Sequence, residues 1–340
     1  MSLAVKYRPK TFEDGFMGQE VTATILRQVI QTRKFKNCYL FAGKSGSGKT
    51  TSARIFANEI NRGPGELIEL DCASNGSVDN IRAIVEQANR QSVLGEYKIF
   101  ILDECHAIST QGWQAFLKCI EECPAKTIFI FCTTEVHKVP QTILNRVQRY
   151  NFAPIAAADI KARLVYICKQ EGYTNYEQTC DYISKICFGS MRDAITSLEQ
   201  VADFSTDLSV DNAKKVLSTL SFETMFKLTW AIQNKNEADI ITIIEDLYSN
   251  GQDLKNFMDV YQQFVLDLTK YKLFHQINYT SIPEYLATEQ NPVVQFTTDK
   301  FDVEYFNNLV EKILDIKSAI KYDTSYKSTI IIMLISLIRG

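Results

Sequence analysis

No two of the nine cysteines in this 340-residue chain are separated by just two residues, so the closely spaced thiolate pair of a structural zinc site is missing. Cys105, Cys119 and Cys123 come nearest to a cluster, yet no fourth ligand follows at a suitable spacing, and Cys119 and Cys123, four apart, read as one face of a buried helix. The nine are expected to be reduced core thiols of a cytoplasmic protein. The opening "MSLAVKYRPK" has no apolar core, so no secretion signal is expected. "IIIMLISLI" (330–338), the longest apolar run, is too short to span a bilayer and predicts a buried terminal helix, with no membrane partner. Repeats and low-complexity tracts are absent. So is a positive surplus: 37 Lys and Arg against 40 Asp and Glu give a net charge of −3, and net charge does not mark a nucleic-acid binder. Residues 1–60 are the exception, with ten basic and four acidic residues; this hints at an anion-facing N-terminal part. An apolar fraction of 46% with 23% charged residues excludes disordered and fibrous classes.

What is present alternates. "CYLFA" (38–42), "ELIELD" (66–71), "YKIFILD" (97–103) and "TIFIFCT" (127–133) are continuous apolar runs, which predicts strands buried on both faces of a mostly parallel sheet. Helices are expected between them at 49–61, 77–92 and 109–122, the second opened by Ser77 as N-cap. After "NFAP" (151–154) helical periodicity takes over, with helices near 157–171, 177–187, 190–203 and 209–218. The expected fold class is therefore an α/β domain over 1–153, a small helical domain over 154–220 and an all-helical domain over 221–340. In the last, Leu254, Phe257, Met258, Tyr261, Phe264, Val265, Leu268 and Tyr271 recur at spacings of three and four, an apolar stripe that faces a core or a partner. Residues 276–302 read as a long loop before two final helices.

Chemistry is concentrated at Gly43, Lys44, Ser45, Gly46, Ser47, Gly48, Lys49 and Thr50, a G-x-x-x-x-G-K-T loop between an apolar strand and a helix. Successive backbone N–H groups and a helix N-terminus make a concave anion site there, and glycine lets a phosphate approach the backbone. Lys49 is expected to reach the β and γ phosphates of a nucleoside triphosphate, and the Thr50 hydroxyl to hold Mg²⁺. A second apolar strand then delivers "DECH" (103–106). Asp103 is expected beside the loop as support for Mg²⁺, and Glu104 as the group that orients and deprotonates water. His106 is a weaker candidate base.

Taken with the loop, the stretches "KYRPKTFEDGFMGQE" (6–20), "DECHAISTQGWQAFLKCIEECP" (103–124), "TTEVHKVPQTILNRV" (133–147) and "GSMRDAITSLEQ" (189–200) resemble the motor subunits of DNA polymerase sliding-clamp loaders, AAA+ ATPases. The similarity is greatest to the gamma/tau subunit of bacterial DNA polymerase III, with replication factor C small subunits a little more distant, and it runs over about the first 220 residues. It implies ATP and Mg²⁺ as cofactors. Arg8, Pro9, Ser45, Gly46, Ser47, Gly48, Lys49, Thr50, Thr51 and Arg192 would bind nucleotide. Thr134, or its neighbour Thr133, corresponds to sensor 1 and Arg192 to sensor 2. Arg146 corresponds to the finger that enters a neighbouring subunit's site, although its flanks are Asn145 and Val147 where the family has Ser and Cys. Arg82 and the "STQG" helix start at 109 fall in the family's DNA-facing segments. The bacterial four-cysteine zinc module is replaced by "NRGPGEL" (61–67), so no zinc is expected.

The same resemblance implies partners: other loader subunits in a pentameric ring held by a helical collar, a sliding clamp, and primer-template DNA. A chain without the long extension of tau would suit a phage or another compact replication system. Two other readings compete. A DNA-remodelling motor of the Holliday-junction type predicts a winged-helix C-terminus with strands, and a non-hydrolysing nucleotide-binding scaffold has no need of the Asp103–Glu104 pair.

Overall fold

The computed structural model describes residues 2–63, 65–90, 92, 94–217, 222–282, 286–288 and 291–339. They form two compact units, one of residues 1–167 and 187–199, the other of 168–186 and 200–340. The expected boundary between 220 and 221 lies outside the described residues, and the three-domain division remains a proposal.

The first unit is built on a five-stranded parallel sheet of β1 (Cys38–Gly43), β2 (Glu66–Asp71), β3 (Lys98–Asp103), β4 (Thr127–Thr133) and β5 (Gln148–Phe152), in the order β2-β3-β4-β1-β5. Its helices begin with α1 (Leu3–Lys6), α2 (Glu20–Thr32), α3 (Lys49–Asn61), α4 (Cys72–Asn75), α5 (Val78–Ala88), α6 (Thr110–Glu121) and α7 (Gln141–Leu144). The apolar runs of β1, β3 and β4 feed two cores by strict alternation. Leu40, Phe100, Leu102, Phe129 and Phe131 pack with Ile81 and Ile84 of α5 and Trp113 and Phe116 of α6. Tyr39, Phe41, Ile99, Ile101, Ile128 and Ile130 pack with Leu26 of α2 and Ala53, Phe56 and Ile60 of α3. Phe100 stacks on Phe129 at 5.0 Å between centroids, and Phe116 meets Phe129 edge-on at 5.4 Å.

Two strands depart from expectation. β2 lies at an edge and is only half-buried, so its run is not covered on both faces. β5 carries no apolar run at all; only Tyr150 and Phe152 are buried, because the opposite edge needs one apolar face. Ser77 caps α5 by accepting from Asn80 N (3.4 Å), as its sequence position predicts, and Ser109 caps α6 through Gly112 N at 3.1 Å.

The helices that follow are α8 (Ala157–Glu171), α9 (Glu177–Ile186), α10 (Met191–Phe204) and α11 (Val210–Val216), close to the expected spans; residue 218, the expected end of the last, lies outside the described residues. The second unit continues with α12 (Phe222–Gln233), α13 (Glu237–Ser249), α14 (Leu254–Phe274), α15 (Val293–Lys300), α16 (Val303–Ile320) and α17 (Tyr326–Arg339). The stripe of α14 is buried within this unit from Leu254 to Leu268, with Phe226 edge-on to Phe264 at 4.8 Å and the Tyr261 hydroxyl 2.9 Å from Thr229 Oγ1. Of its two expected destinations it takes the core. α15 interrupts the stretch read as a loop. α17 is buried along Ile330, Leu334 and Ile338 but leaves Ile332 63% exposed, so the terminal helix is one-sided rather than enclosed. Among the described residues no helix is long and apolar enough to cross a membrane.

Candidate functional site

β1 ends at Gly43 and α3 starts at Lys49, and the five residues between them turn through two left-handed glycines, Gly46 (φ +70°) and Gly48 (φ +96°). A Cβ on Gly46 would lie 1.9 Å from Ser190 Oγ, and the Gly46 carbonyl accepts from Met191 N at 3.1 Å. The start of α10 is thus seated directly on the loop, and only glycine permits so close an approach.

The loop forms one wall of an open cleft. The N-terminal stretch contributes Tyr7, Arg8, Pro9, Gly15, Phe16 and Met17. Ser45, Gly46, Gly48, Lys49, Thr50 and Thr51 come from the loop and α3, Asp103 and Glu104 from the end of β3, and Arg163, Met191, Arg192 and Ile195 from α8 and α10. All of these belong to the first unit.

Lys49 Nζ donates to the carbonyls of Gly43 and Lys44, each at 2.9 Å, which holds a cation at the centre of the loop. Burial lowers its pKa, and the nearby carboxylates of Glu104 and Asp103 oppose that shift. Thr50 Oγ1 donates to Asp103 Oδ2 at 2.8 Å, and Glu104 N donates to Asp103 Oδ1 at 3.0 Å. Glu104 itself is left-handed (φ +47°), an uncommon conformation for a side chain of its size, and this turns the backbone sharply after the buried strand. Its Oε2 accepts from Thr134 Oγ1 at 3.3 Å and lies 3.3 Å from His106 Nδ1. The hydroxyl of Thr133, next to Thr134 and fully buried, accepts from Glu135 N and lies 3.2 Å from the same imidazole nitrogen.

Most of the sequence-predicted residues therefore converge on one cleft, but not all. Ser47 turns inward: its Oγ donates to Lys44 O at 2.8 Å, so its side chain braces the loop instead of lining the cleft. Thr134 reaches the site through Glu104. Arg146 stands before β5, at the end of the parallel sheet opposite the phosphate loop, where Nη2 pairs with Glu121 Oε1 at 2.6 Å and Nη1 donates to Thr142 O at 2.7 Å. Arg82 is exposed on α5, 3.6 Å from Asp79. His106 has carboxylates near both ring nitrogens, Glu104 (3.3 Å) at Nδ1 and Glu135 (3.3 Å) at Nε2.

Two contributors carry no local signal in the sequence. Gln19 is buried and donates through Nε2 to Ala153 O (2.6 Å) and Ser47 O (3.3 Å), tying the N-terminal stretch to the phosphate loop. Arg163 is buried with Nη2 on Tyr7 O at 2.7 Å and its guanidinium against Gly15. It braces the N-terminal wall of the cleft. Burial pushes its pKa down. Among the described residues no group of three or more His, Cys, Asp or Glu side chains is arranged to hold a metal. The nine thiols are free.

Residues 66–156 match a family model described as DNA polymerase III, delta subunit. The chain is 33% identical over 288 residues to DNA polymerase III subunit tau of Bacillus subtilis, covering 78% of this chain and 51% of that protein. It is 31% identical over 296 residues to the gamma/tau subunit of Mycoplasma genitalium, covering 80% and 49%. The chain thus spans about half the length of the curated relatives it matches. Among solved structures, the RuvB Holliday junction branch migration motor of Thermotoga maritima aligns with a TM-score of 0.55 at 19% identity, covering 76% of this chain and 90% of that one. That likeness is one of fold.

Proposed function

The chain is an AAA+ protein homologous over 78% of its length to bacterial DNA polymerase III gamma/tau subunits, and from this premise we propose that it is an ATP-hydrolysing subunit of a sliding-clamp loader acting in DNA replication. The observation that carries the reading is the Thr50–Asp103 hydrogen bond with Glu104 and Thr134 immediately beside it, at the mouth of the glycine loop. A scaffold that only held nucleotide would have no use for a second carboxylate oriented by a threonine hydroxyl.

In this reading the N–H groups of residues 45–50 hold the β and γ phosphates, and the Lys49 ammonium exchanges its two carbonyl partners for phosphate oxygens. The oxygens of Thr50 and Asp103 suit a hard cation, and Mg²⁺ bound there would neutralise phosphate charge. Glu104, held by Thr134, takes the proton of a water that attacks the γ phosphorus; the bond to the bridging oxygen breaks and leaves ADP and phosphate. Arg192, at the start of the helix seated on Gly46, reports the phosphate state, and Arg8 and Pro9 flank the base. Arg146 lies at the far end of the sheet from its own phosphate loop, which favours action on a neighbouring copy or another loader subunit in a ring.

ATP binding then closes a ring, proposed to be pentameric and joined through the second unit, around an open clamp and primer-template DNA, and hydrolysis releases both. Arg82 and the Ser109 helix start are the proposed phosphate contacts. The location proposed with this role is the cytoplasm. Hydrolysis measured with and without clamp and primed DNA tests the proposal: joint stimulation supports it, strand unwinding points to a remodelling motor, and no turnover under any condition points to a scaffold.

A further inference from the structure

The His106 side chain touches both the proposed catalytic carboxylate and the segment following β4. Its Nδ1 lies 3.3 Å from Glu104 Oε2 and 3.2 Å from Thr133 Oγ1, and its Nε2 lies 3.3 Å from Glu135 Oε1. The ring is largely buried, at 18% exposure. Glu135 is itself anchored, by Lys138 Nζ at 2.8 Å and by its own N–H to Thr133 Oγ1 at 3.0 Å. Glu104 sits on a left-handed turn directly after β3, and Thr134 Oγ1 also donates to its carboxylate at 3.3 Å.

We infer that His106 is a positioning residue for ATP hydrolysis, whose doubly protonated ring fixes the Glu104 carboxylate against the end of β4 by donating from Nδ1 and anchors itself by donating from Nε2 to Glu135. The inference rests on the proposed ATPase reading and adds a residue to it. A single hydrogen bond from Thr134 leaves the carboxylate one rotational freedom, and a second donor from a different element removes it. A base aimed in advance at its water needs less reorganisation in the transition state. His106 itself exchanges no proton with substrate.

The test compares His106→Ala, His106→Asn and His106→Gln in the full chain, with ATP affinity measured separately from turnover. Asn keeps a donor near the position of Nδ1, and Gln keeps one near Nε2. The alanine variant should lose roughly 10- to 100-fold in kcat while nucleotide affinity stays within about twofold, and Asn should restore more than Gln. Alanine turnover equal to wild type, or rescue by Gln and not Asn, overturns the inference. Isotope-labelled histidine NMR gives a readout that survives failure of the ATPase reading, because the chain has three histidines, His106, His137 and His275. Glu104→Gln should shift the His106 Nδ1 resonance and leave His275 unmoved; an unmoved His106 resonance overturns the inference even in a chain that hydrolyses nothing.

Discussion

Thr50 and Asp103 stand 53 residues apart in sequence and meet at 2.8 Å, hydroxyl to carboxylate, where α3 begins and β3 ends. The meeting follows from the parallel sheet. β1, which leads into the phosphate loop, and β3 both flank β4, and all three end on the same side, so a loop from one strand and an acid from another converge there. Asp103 is thereby held by one α3 hydroxyl and by the Glu104 N–H, and the base role is proposed for the Glu104 carboxylate.

Division of labour between the two acids predicts different phenotypes. Glu104→Gln keeps a hydrogen-bond acceptor for Thr134 but not a base, so nucleotide binding should persist while turnover falls by about 10²–10⁴-fold. Asp103→Asn should instead weaken binding of the Mg²⁺-nucleotide. Equilibrium binding of a fluorescent ATP analogue beside steady-state phosphate release separates the two.

Arg146 should show activity without stability. Its pair with Glu121 is roughly 40% exposed on both partners, so Arg146→Ala should change folding free energy by less than about 1 kcal/mol. If it acts on a neighbouring site, the same change should remove about three or more powers of ten in turnover and leave nucleotide binding intact. Denaturant melts and turnover measured on one preparation check both halves, and Glu121→Gln serves as the control.

Gly46 and Gly172 both have positive φ, near +70°, but in different surroundings: a Cβ on Gly46 would strike Ser190, whereas nothing lies within 4 Å of one on Gly172. Gly172→Ala should therefore cost about 1 kcal/mol from backbone strain alone. Gly46→Ala should cost more, and should also weaken nucleotide binding by displacing the start of α10. Thermal melts with and without ATP distinguish a backbone effect from a lost contact.

Alkaline pH should destabilise the fold. Burial raises the Tyr39 phenol to about 12, Cys72 and Cys187 to about 12 and Cys119 to about 11. Each group keeps its proton longer when folded than when unfolded, so its contribution is complete below its ordinary pKa and is lost as pH rises through the folded value. Stability should fall between about pH 9 and 12, and Tyr39→Phe should flatten part of that slope. Urea titrations across this range report it directly.

The cleft was legible where its residues are local in sequence. The glycine loop and "DECH" announce themselves because a phosphate cradle and a strand-end acid each fit within a few residues, and the runs of β1, β3 and β4 announce a doubly covered sheet. β5 was not legible, since an edge strand with two buried aromatics has neither a continuous run nor a long alternation. Gln19, Arg163 and the His106–Glu135 contact were hidden for another reason: each acts on a partner far along the chain, and nothing in "MGQE" or "KARL" marks a side chain that will be buried on a distant carbonyl. The α14 stripe was visible, but its destination was not, because periodicity gives a face and not what covers it. The same limit hid α15, whose apolar face is short and sits between prolines and polar residues.

The measurement that bears most directly on the proposed function is ATP turnover by the full chain, with any required loader partners, as clamp and primed DNA are added singly and together. The account predicts slow turnover alone, a joint stimulation of at least about tenfold, and stable retention of clamp on DNA by the Glu104→Gln chain, which binds nucleotide but cannot discharge it. Turnover that ignores clamp and DNA, or a Glu104→Gln chain that hydrolyses as fast as wild type, would contradict it.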